Sequence, residues 1–542
     1  MASPSSRAHG LGRVRTGAKD SLTGRAVDGL YGPDGRARIT RRASDVGRYA
    51  RTVTRSTDPA PSDLAHVPSD RPARRPARVV AAVLLGVLGA AAYWLRGVQQ
   101  WRGLEASSWD LAIFSQLARA YSELRAPIVP IKGDGFNLLG DHFHPILVLL
   151  GPIWAAWPSP LALLWTQAVL FGISAVPLTR LAIDRLGWGA GLLAGAAYLF
   201  GFGLQAAADV QFHEIAFAVP LLAFSLSALV RGRMPAAIAW AAPLVLVKED
   251  LGLTVVVLGL VIALRDPRVR RAGLALAAWG ALWFVLSTFV ILPLLNPAGH
   301  YDYGGNLGSP LDVLGPAEKW MTVLMLLLAA GVIGARSPLI LAMLPTLAWR
   351  FAGNVEFYWG WYWHYNAVLM PIALAAMLDA LGDRRDRRDG RDLVGSQPRA
   401  SRRRGSRPAR GLVRWTAVGA SAAVSLMLGS ALPLVNLARD SAWEPSPRTA
   451  AAEGALAAVP RDVVVASDIT LMARVVPSDD VQWVHGTNTR VPDCVLVDRE
   501  AFSWGGQDPG DAAGWASGNY GTTFESRYAQ DGFEVACQPG VA

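Results

Sequence analysis

Between residues 79 and 381 the chain is a succession of apolar runs joined by short connections, and most of these connections carry arginine. This arrangement constrains the fold more than any single motif. A run of roughly twenty apolar residues costs too much free energy to expose to water and is long enough to cross a bilayer as a helix. Charged residues make up only 17% of the 542-residue chain and crowd into residues 1–78, a stretch near 382–411, and the last hundred residues. The pattern therefore predicts an all-α polytopic membrane protein with polar appendages.

The expected crossings are 79–95, 161–178, 190–204, 215–230, 235–247, 251–264, 272–295, 320–334, 338–349, 362–381 and 412–437, about eleven in all. Residues 146–157 are apolar but number only twelve, so they read as re-entrant or interfacial. The arginine- and proline-rich residues 1–78 read as a disordered cytoplasmic tail and not as a signal peptide. Placing this tail inside puts Arg180, Arg185, Arg231, Arg233, Arg265, Arg268, Arg270, Arg271 and Arg336 in inside connections, together with the basic loop 382–411. Basic residues are thus retained on the cytoplasmic face of a plasma membrane. The net charge of +10 is accounted for in this way, and no nucleic-acid role is read from it.

The membrane domain is expected to span 79–437, with a long outer loop at 96–145. Residues 438–542 read as a small extracytoplasmic α/β domain, with strands at 462–467, 481–486 and 494–499 after a helix at 447–459. Cys494 and Cys537, the two cysteines, either bridge in an oxidising compartment or remain thiols.

The same topology gathers the unusual polar residues on the outer face. They are Trp109 and Asp110, then Asp141, His142 and His144, then Asp209, Gln211, His213 and Glu214. Lys248, Glu249 and Asp250 follow, then His300, Tyr301, Asp302 and Tyr303, and finally Glu356, His364 and Tyr365. Ionisable groups beside apolar spans are costly, and their collection at one depth points to function. Each also has a structural reading. In SSWDLAIFSQLARAYS (107–122), Leu111, Phe114, Leu117, Ala118 and Tyr121 mark an amphipathic helix expected in the membrane interface. Asp110 falls in its first turn, where it either caps the helix or does chemistry. His142 and His144, two apart, would face opposite sides of a strand and make a poor metal pair alone. Lys248, Glu249 and Asp250 form either a polar hairpin or a phosphate or metal site. The aromatic run 357–365 suits an interfacial belt or sugar rings.

Taken in order, the WD helix, the HFHP, the FHE ahead of a span, the KED between two spans and the late HY resemble the bacterial multi-spanning family called Domain of Unknown Function 2079. That family is similar to the GT-C glycosyltransferases, which use polyprenyl-phosphate sugars. The resemblance covers roughly residues 80–500. It implies a GT-C-like fold and transfer of a sugar from a polyprenyl-phosphate donor to an envelope glycan or protein acceptor, with Asp110 as catalytic base. Trp109 stands where many of those enzymes carry a second acid. Lys248, with His213 or an outer arginine such as Arg350, would meet the departing phosphate. Trp109, His142, His144, Glu214, Glu249, Asp250, His364 and Tyr365 complete the expected substrate site. A divalent metal is left open, and no other cofactor is expected. The competing readings are a lipid-linked sugar transporter or flippase and a non-catalytic envelope protein.

Overall fold

A computed structural model describes residues 74–306, 308, 313, 315–382, 407–501 and 510–542. The tail 1–73 and most of the basic loop 382–411 lie outside these residues. The helical part contains α1 (Arg74–Arg102), α2 (Trp109–Ser122), α3 (Leu150–Ala156), α4 (Pro160–Leu186), α5 (Trp188–Leu199), α6 (Phe202–Asp209), α7 (Ala218–Val230) and α8 (Met234–Ala241). It continues with α9 (Leu251–Arg265), α10 (Arg270–Leu286), α11 (Leu292–Leu295), α12 (Ala317–Ala329), α13 (Leu344–Ala352), α14 (Leu369–Ala380) and α15 (Arg407–Leu428).

Five stretches among the described residues are long and apolar enough to cross a membrane: Pro76–Arg102, Pro160–Leu186, Trp188–Asp209, Pro267–Leu295 and Gly411–Ala431. These coincide with five of the eleven expected crossings. The other expected crossings fall on shorter helices, such as Met234–Leu246 and Leu251–Arg265. A helix of 13 residues, such as α12, reaches only about 20 Å at 1.5 Å per residue, against a hydrocarbon core of about 30 Å. The expected eleven spans are therefore not all present as full-length helices.

Small residues set the helix contacts. A Cβ at Gly86 of α1 would lie 2.5 Å from the Gly172 carbonyl oxygen of α4. In the α9–α10 hairpin, Gly252 and Gly280 approach in the same way, as do Gly259 and Ala277. Close backbone approach of this kind is how helices associate in lipid, where burial of apolar side chains gives no net drive. Helix α14 is buried along nearly its whole length and forms the centre of the bundle. Between α5 and α6 the helix breaks, and the buried Tyr93 hydroxyl donates to the freed Leu199 carbonyl at 2.5 Å, which satisfies a group that lipid could not. One end of the bundle is held by arginines. Arg78 and Arg231 both pair with Asp184 at 2.9 and 2.6 Å, and Arg265 pairs with Asp379.

The C-terminal unit contains α16 (Thr449–Ala458), β1 (Val464–Ser467), α17 (Met472–Val475), β2 (Asp480–Trp483), β3 (Cys494–Asp498), α18 (Ala512–Tyr520), β4 (Glu525–Gln530) and β5 (Phe533–Cys537). Its sheet order is β2-β1-β3-β5-β4, with β1 parallel to β2 and β3 and the β5 pairings antiparallel. The first three strands match the expected segments. The β4–β5 hairpin was not anticipated, although its Asp531-Gly532 turn, with both residues at positive φ, is a strong hairpin signal. β4 is mostly exposed and so lacks the apolar alternation that marks a strand. Cys494 and Cys537 lie opposite each other across β3 and β5 and form a disulfide.

Helix α2 is not interfacial. Leu111 through Leu117 are all buried, because α2 lies between the bundle and the C-terminal unit. Gln116 Nε2 donates to the Val481 carbonyl at 2.7 Å, and Arg119 donates to the carbonyls of Val476 and Asp479. Its apolar stripe faces protein where a bilayer surface was expected.

Candidate functional site

At the start of α2 the cap is Ser108 and not Asp110, the Ser108 hydroxyl accepting from the Leu111 amide at 3.0 Å. Asp110, in the first turn, is therefore not needed as the cap. Its side chain is 47% accessible and lies 3.5 Å from His213 Nε2. Burial works against its charge, but His213 and Lys248 outweigh this and hold the carboxyl below its ordinary pKa.

Asp110 opens onto a cavity of about 670 Å³. Of the residues expected at the site, all but Arg350 line this cavity: Trp109, Asp110, His142, His144, His213, Glu214, Lys248, Glu249, Asp250, His364 and Tyr365. They come from segments up to some 250 residues apart in sequence, and the fold brings them together.

The histidines are positioned by loops. Gln167 donates to the carbonyls of Ala207 and Gln211 and accepts from the His213 amide. It pins a turn in which Gln211 adopts φ 65°. Trp363, directly before His364, has φ 77°. Non-glycine residues in this region cost of order 1 kcal/mol or more and persist where the surroundings enforce them. The two enforced turns stack the His213 and His364 rings with centroids 3.8 Å apart. His142 and His144 lie in a non-helical connection ahead of a proline. His142 Nδ1 meets Glu249 Oε1 at 2.8 Å, and the Phe143 amide donates to the other Glu249 oxygen. Burial and Lys248 oppose protonation of His142, yet Glu249 and Asp141 raise its pKa overall. His144 packs edge-on against Phe114, and burial pushes its pKa down to about 4.

The three consecutive charges divide their roles. Lys248 Nζ donates to Glu214 Oε1 at 2.7 Å. Burial opposes its charge, but Glu214, Glu249 and Asp250 together raise its pKa well above the usual lysine value. Burial likewise opposes the charge of Glu249, and His142 and Lys248 bring its pKa to about 2. Asp250 is pushed up to about 6, chiefly by burial with Glu249 adding to it. One oxygen of Asp250 accepts from Trp349 Nε1 at 3.0 Å, and the other has no hydrogen-bond partner among the described residues.

Several lining residues carried little sequence signal. Lys132 reaches Asp141 at 3.3 Å and lies over the Trp109 and Phe136 rings. Tyr303 donates to Asp141 at 3.0 Å and stacks on His142. Other residues from the expected outer cluster do not reach the cavity. Asp209 pairs with Arg96 beside Glu105, and His300 and Glu356 do not line it. Arg350, considered as a phosphate ligand, is fully buried elsewhere. Its guanidinium donates to the carbonyls of Tyr358 and Gly360 and to the Asn366 side chain, so it locks the aromatic loop in place. As to a metal, no group of three or more His, Cys, Asp or Glu side chains converges as a metal-holding set among the described residues.

Apolar helices long enough to cross a membrane and closely packed on glycine, with a cavity lined by ionisable groups at their ends, fit an integral membrane protein. Residues 101–535 match the model of the family described as "Predicted membrane protein (DUF2079)", and the chain belongs to that family. No curated protein and no solved structure matches it.

Proposed function

We propose that this protein is a plasma-membrane glycosyltransferase that moves a sugar from a polyprenyl-phosphate donor to an envelope glycan or protein acceptor. Asp110 acts as base. The single observation that carries this reading is the Asp110 carboxylate itself. It is freed from capping by Ser108, is open to the cavity, and is held ionised beside His213 with Lys248 further along the same wall.

The acceptor hydroxyl attacks the anomeric carbon from one face while its proton passes to Asp110. The bond from that carbon to the phosphate oxygen breaks, and its electron pair leaves with the polyprenyl phosphate. A carboxylate of lowered pKa is a weak base towards a free alcohol. Transfer becomes favourable only as the new C–O bond forms and the hydroxyl turns acidic. Lys248 and His213 stabilise the negative charge that grows on the leaving phosphate. Trp109, Tyr365 and the neighbouring rings offer faces for the sugar.

We place the N-terminal tail in the cytoplasm and the cavity with the C-terminal unit outside. Two features support this orientation. The arginine-held end of the bundle lies at the far ends of α1, α4, α7 and α9 from the cavity, and Cys494–Cys537 is a disulfide, a bond favoured outside the cytosol.

The test uses membranes containing wild type or Asp110→Asn, supplied with radiolabelled polyprenyl-phosphate sugars and extracted envelope acceptors. Asp110-dependent product is expected. Absence of any such product across a donor panel would overturn the reading.

A further inference from the structure

A second recess shares no lining residue with the cavity at Asp110. It is an apolar groove of about 390 Å³ between α1 and α4. Gly86, Ala90 and Gly172 meet closely along it, and side chains this small leave a trough where two helices cross. Val87 and Ile173 also line it and are exposed. Both helices are long and apolar enough to cross a membrane, so the groove opens towards lipid. Trp94 and Trp165 line one end. From Val83 to Trp94 the groove follows about 16 Å of α1, close to half of a hydrocarbon core of about 30 Å.

The other end of the groove runs into arginine. On α4, Ile173, Val176 and Arg180 follow one another at spacings of three and four residues and so share one face. The first two line the groove, and Arg180 continues it. One turn further, Asp184 pairs with Arg78 of α1 at 2.9 Å and with Arg231 at the end of α7 at 2.6 Å. Burial lowers the Arg231 pKa, Asp184 raises it, and repulsion from Arg180 and Arg233 lowers it again. Four guanidinium groups thus gather about one carboxylate. The side chains of Arg180 and Arg233 make no hydrogen bond or ion pair among the described residues, and Arg78 Nε and Arg231 Nη2 find no acceptor there either. Each guanidinium offers five N–H donors in a planar fork, and a single carboxylate cannot satisfy four of them. Surplus positive charge in this form suits a phosphate.

Exposed Trp188 stands four residues after Asp184, and exposed Trp415 of α15 packs beside Gly189. Indole rings settle at the boundary between membrane and water, which sets these arginines at headgroup level. We propose that the α1–α4 groove and its arginines hold an anionic phospholipid, with an acyl chain in the groove and the phosphate against Arg180 and Arg231. Charge complementarity selects the anionic headgroup, because a zwitterionic one would bring its own cation to four arginines. The apolar trough that continues from the arginines selects a lipid over a soluble phosphate. The site lies outside the sugar-transfer reading and does not depend on it.

The full-length protein, stripped of lipid in detergent, is titrated with phosphatidylglycerol or with phosphatidylcholine of the same acyl chains, and native mass spectrometry counts the lipid retained. Phosphatidylglycerol should bind saturably and more tightly than phosphatidylcholine. Arg180→Gln, which breaks no ion pair, should weaken its binding by about fivefold, the effect of one basic residue beside an anionic headgroup. Arg271→Gln, an exposed arginine at the same end of the bundle on α10, should leave binding unchanged. Ile173→Trp, which fills the groove, should weaken binding by about tenfold, equivalent to losing burial of about two methylene groups. Leu84→Trp, exposed on α1 outside the groove, should bind like wild type. Inorganic phosphate should compete only weakly, because the acyl chain contributes to the affinity.

Wild-type affinity in a folded Arg180→Gln protein, or an equal loss in Arg271→Gln, would overturn the site, since only the general charge of that face would then be at work. Equal binding of the two lipids would do the same. Phosphate competing as well as the lipid would overturn it in favour of a soluble ligand. A wild type that retains no lipid and forms a dimer abolished by Ile173→Trp would also overturn it and assign the groove to a second copy of the chain.

Discussion

His213 Nε2 lies 3.5 Å from Asp110 Oδ2, and the same imidazole stacks on His364 with centroids 3.8 Å apart. The carboxylate comes from the start of a helix, and the two rings come from turns with a positive φ at Gln211, two residues before His213, and at Trp363, directly before His364. No local preference brings these groups together. They meet because Gln167 and Arg350, both buried, fix the two turns from behind.

Asp110 and Ser108 separate function from stability within one helical turn. Asp110→Asn is expected to lower transfer by about a hundred- to ten-thousand-fold, the range for loss of a general base, with little change in melting temperature. Ser108→Ala is expected to cost about 1 kcal/mol of stability through the lost cap. Paired activity and thermal-melting measurements in detergent check both. A large melting shift in Asp110→Asn would show that the carboxylate is structural.

Lys248 and Glu214 form a buried pair, so removing one charge is worse than removing both. Lys248→Met should destabilise the protein by about 3–5 kcal/mol because Glu214 is left uncompensated. The double variant Lys248→Met/Glu214→Leu should recover much of that loss. A double-mutant cycle on unfolding free energies reads the coupling. Additive losses would mean that the two side chains act independently.

His144 gives the pH dependence a definite sign. Burial lowers its pKa to about 4, so the unfolded chain takes up a proton on this side chain at a higher pH than the folded protein does. Stability from this group is present above the unfolded value of about 6.5 and is lost as pH falls towards 4, by about 3 kcal/mol at most. Melting curves of wild type and His144→Gln between pH 7 and 4 should therefore converge as the pH falls. Parallel curves would show that His144 does not titrate differently in the two states.

The Cys494–Cys537 bond closes a loop with a sequence separation of 43. Loop-closure entropy alone predicts roughly 4 kcal/mol of stabilisation for the C-terminal unit. Reduction should lower its melting temperature and loosen its grip on α2 through Gln116 and Arg119. Limited proteolysis with and without reductant reports the change; identical cleavage in both would show that the sheet holds without the bridge.

The sequence by itself determined the membrane class, five long apolar helices among a larger number of expected crossings, the first three strands, and eleven of the residues that line the cavity. These are legible because hydrophobic runs and isolated charges cost free energy wherever the chain places them. Tertiary structure decided the rest. α2 reads as interfacial because its apolar stripe does not say whether lipid or protein covers it. Arg350 reads as a phosphate ligand because a lone arginine does not reveal the carbonyls that surround it. The short apolar helices read as crossings because hydropathy gives no length when 3-10 turns and prolines interrupt the helix. Lys132 and Tyr303 reach Asp141 only through packing, and the groove beside Gly86 and Gly172 exists only where α1 crosses α4. Such convergence depends on distances between elements far apart in the chain, and local physics carries no record of them.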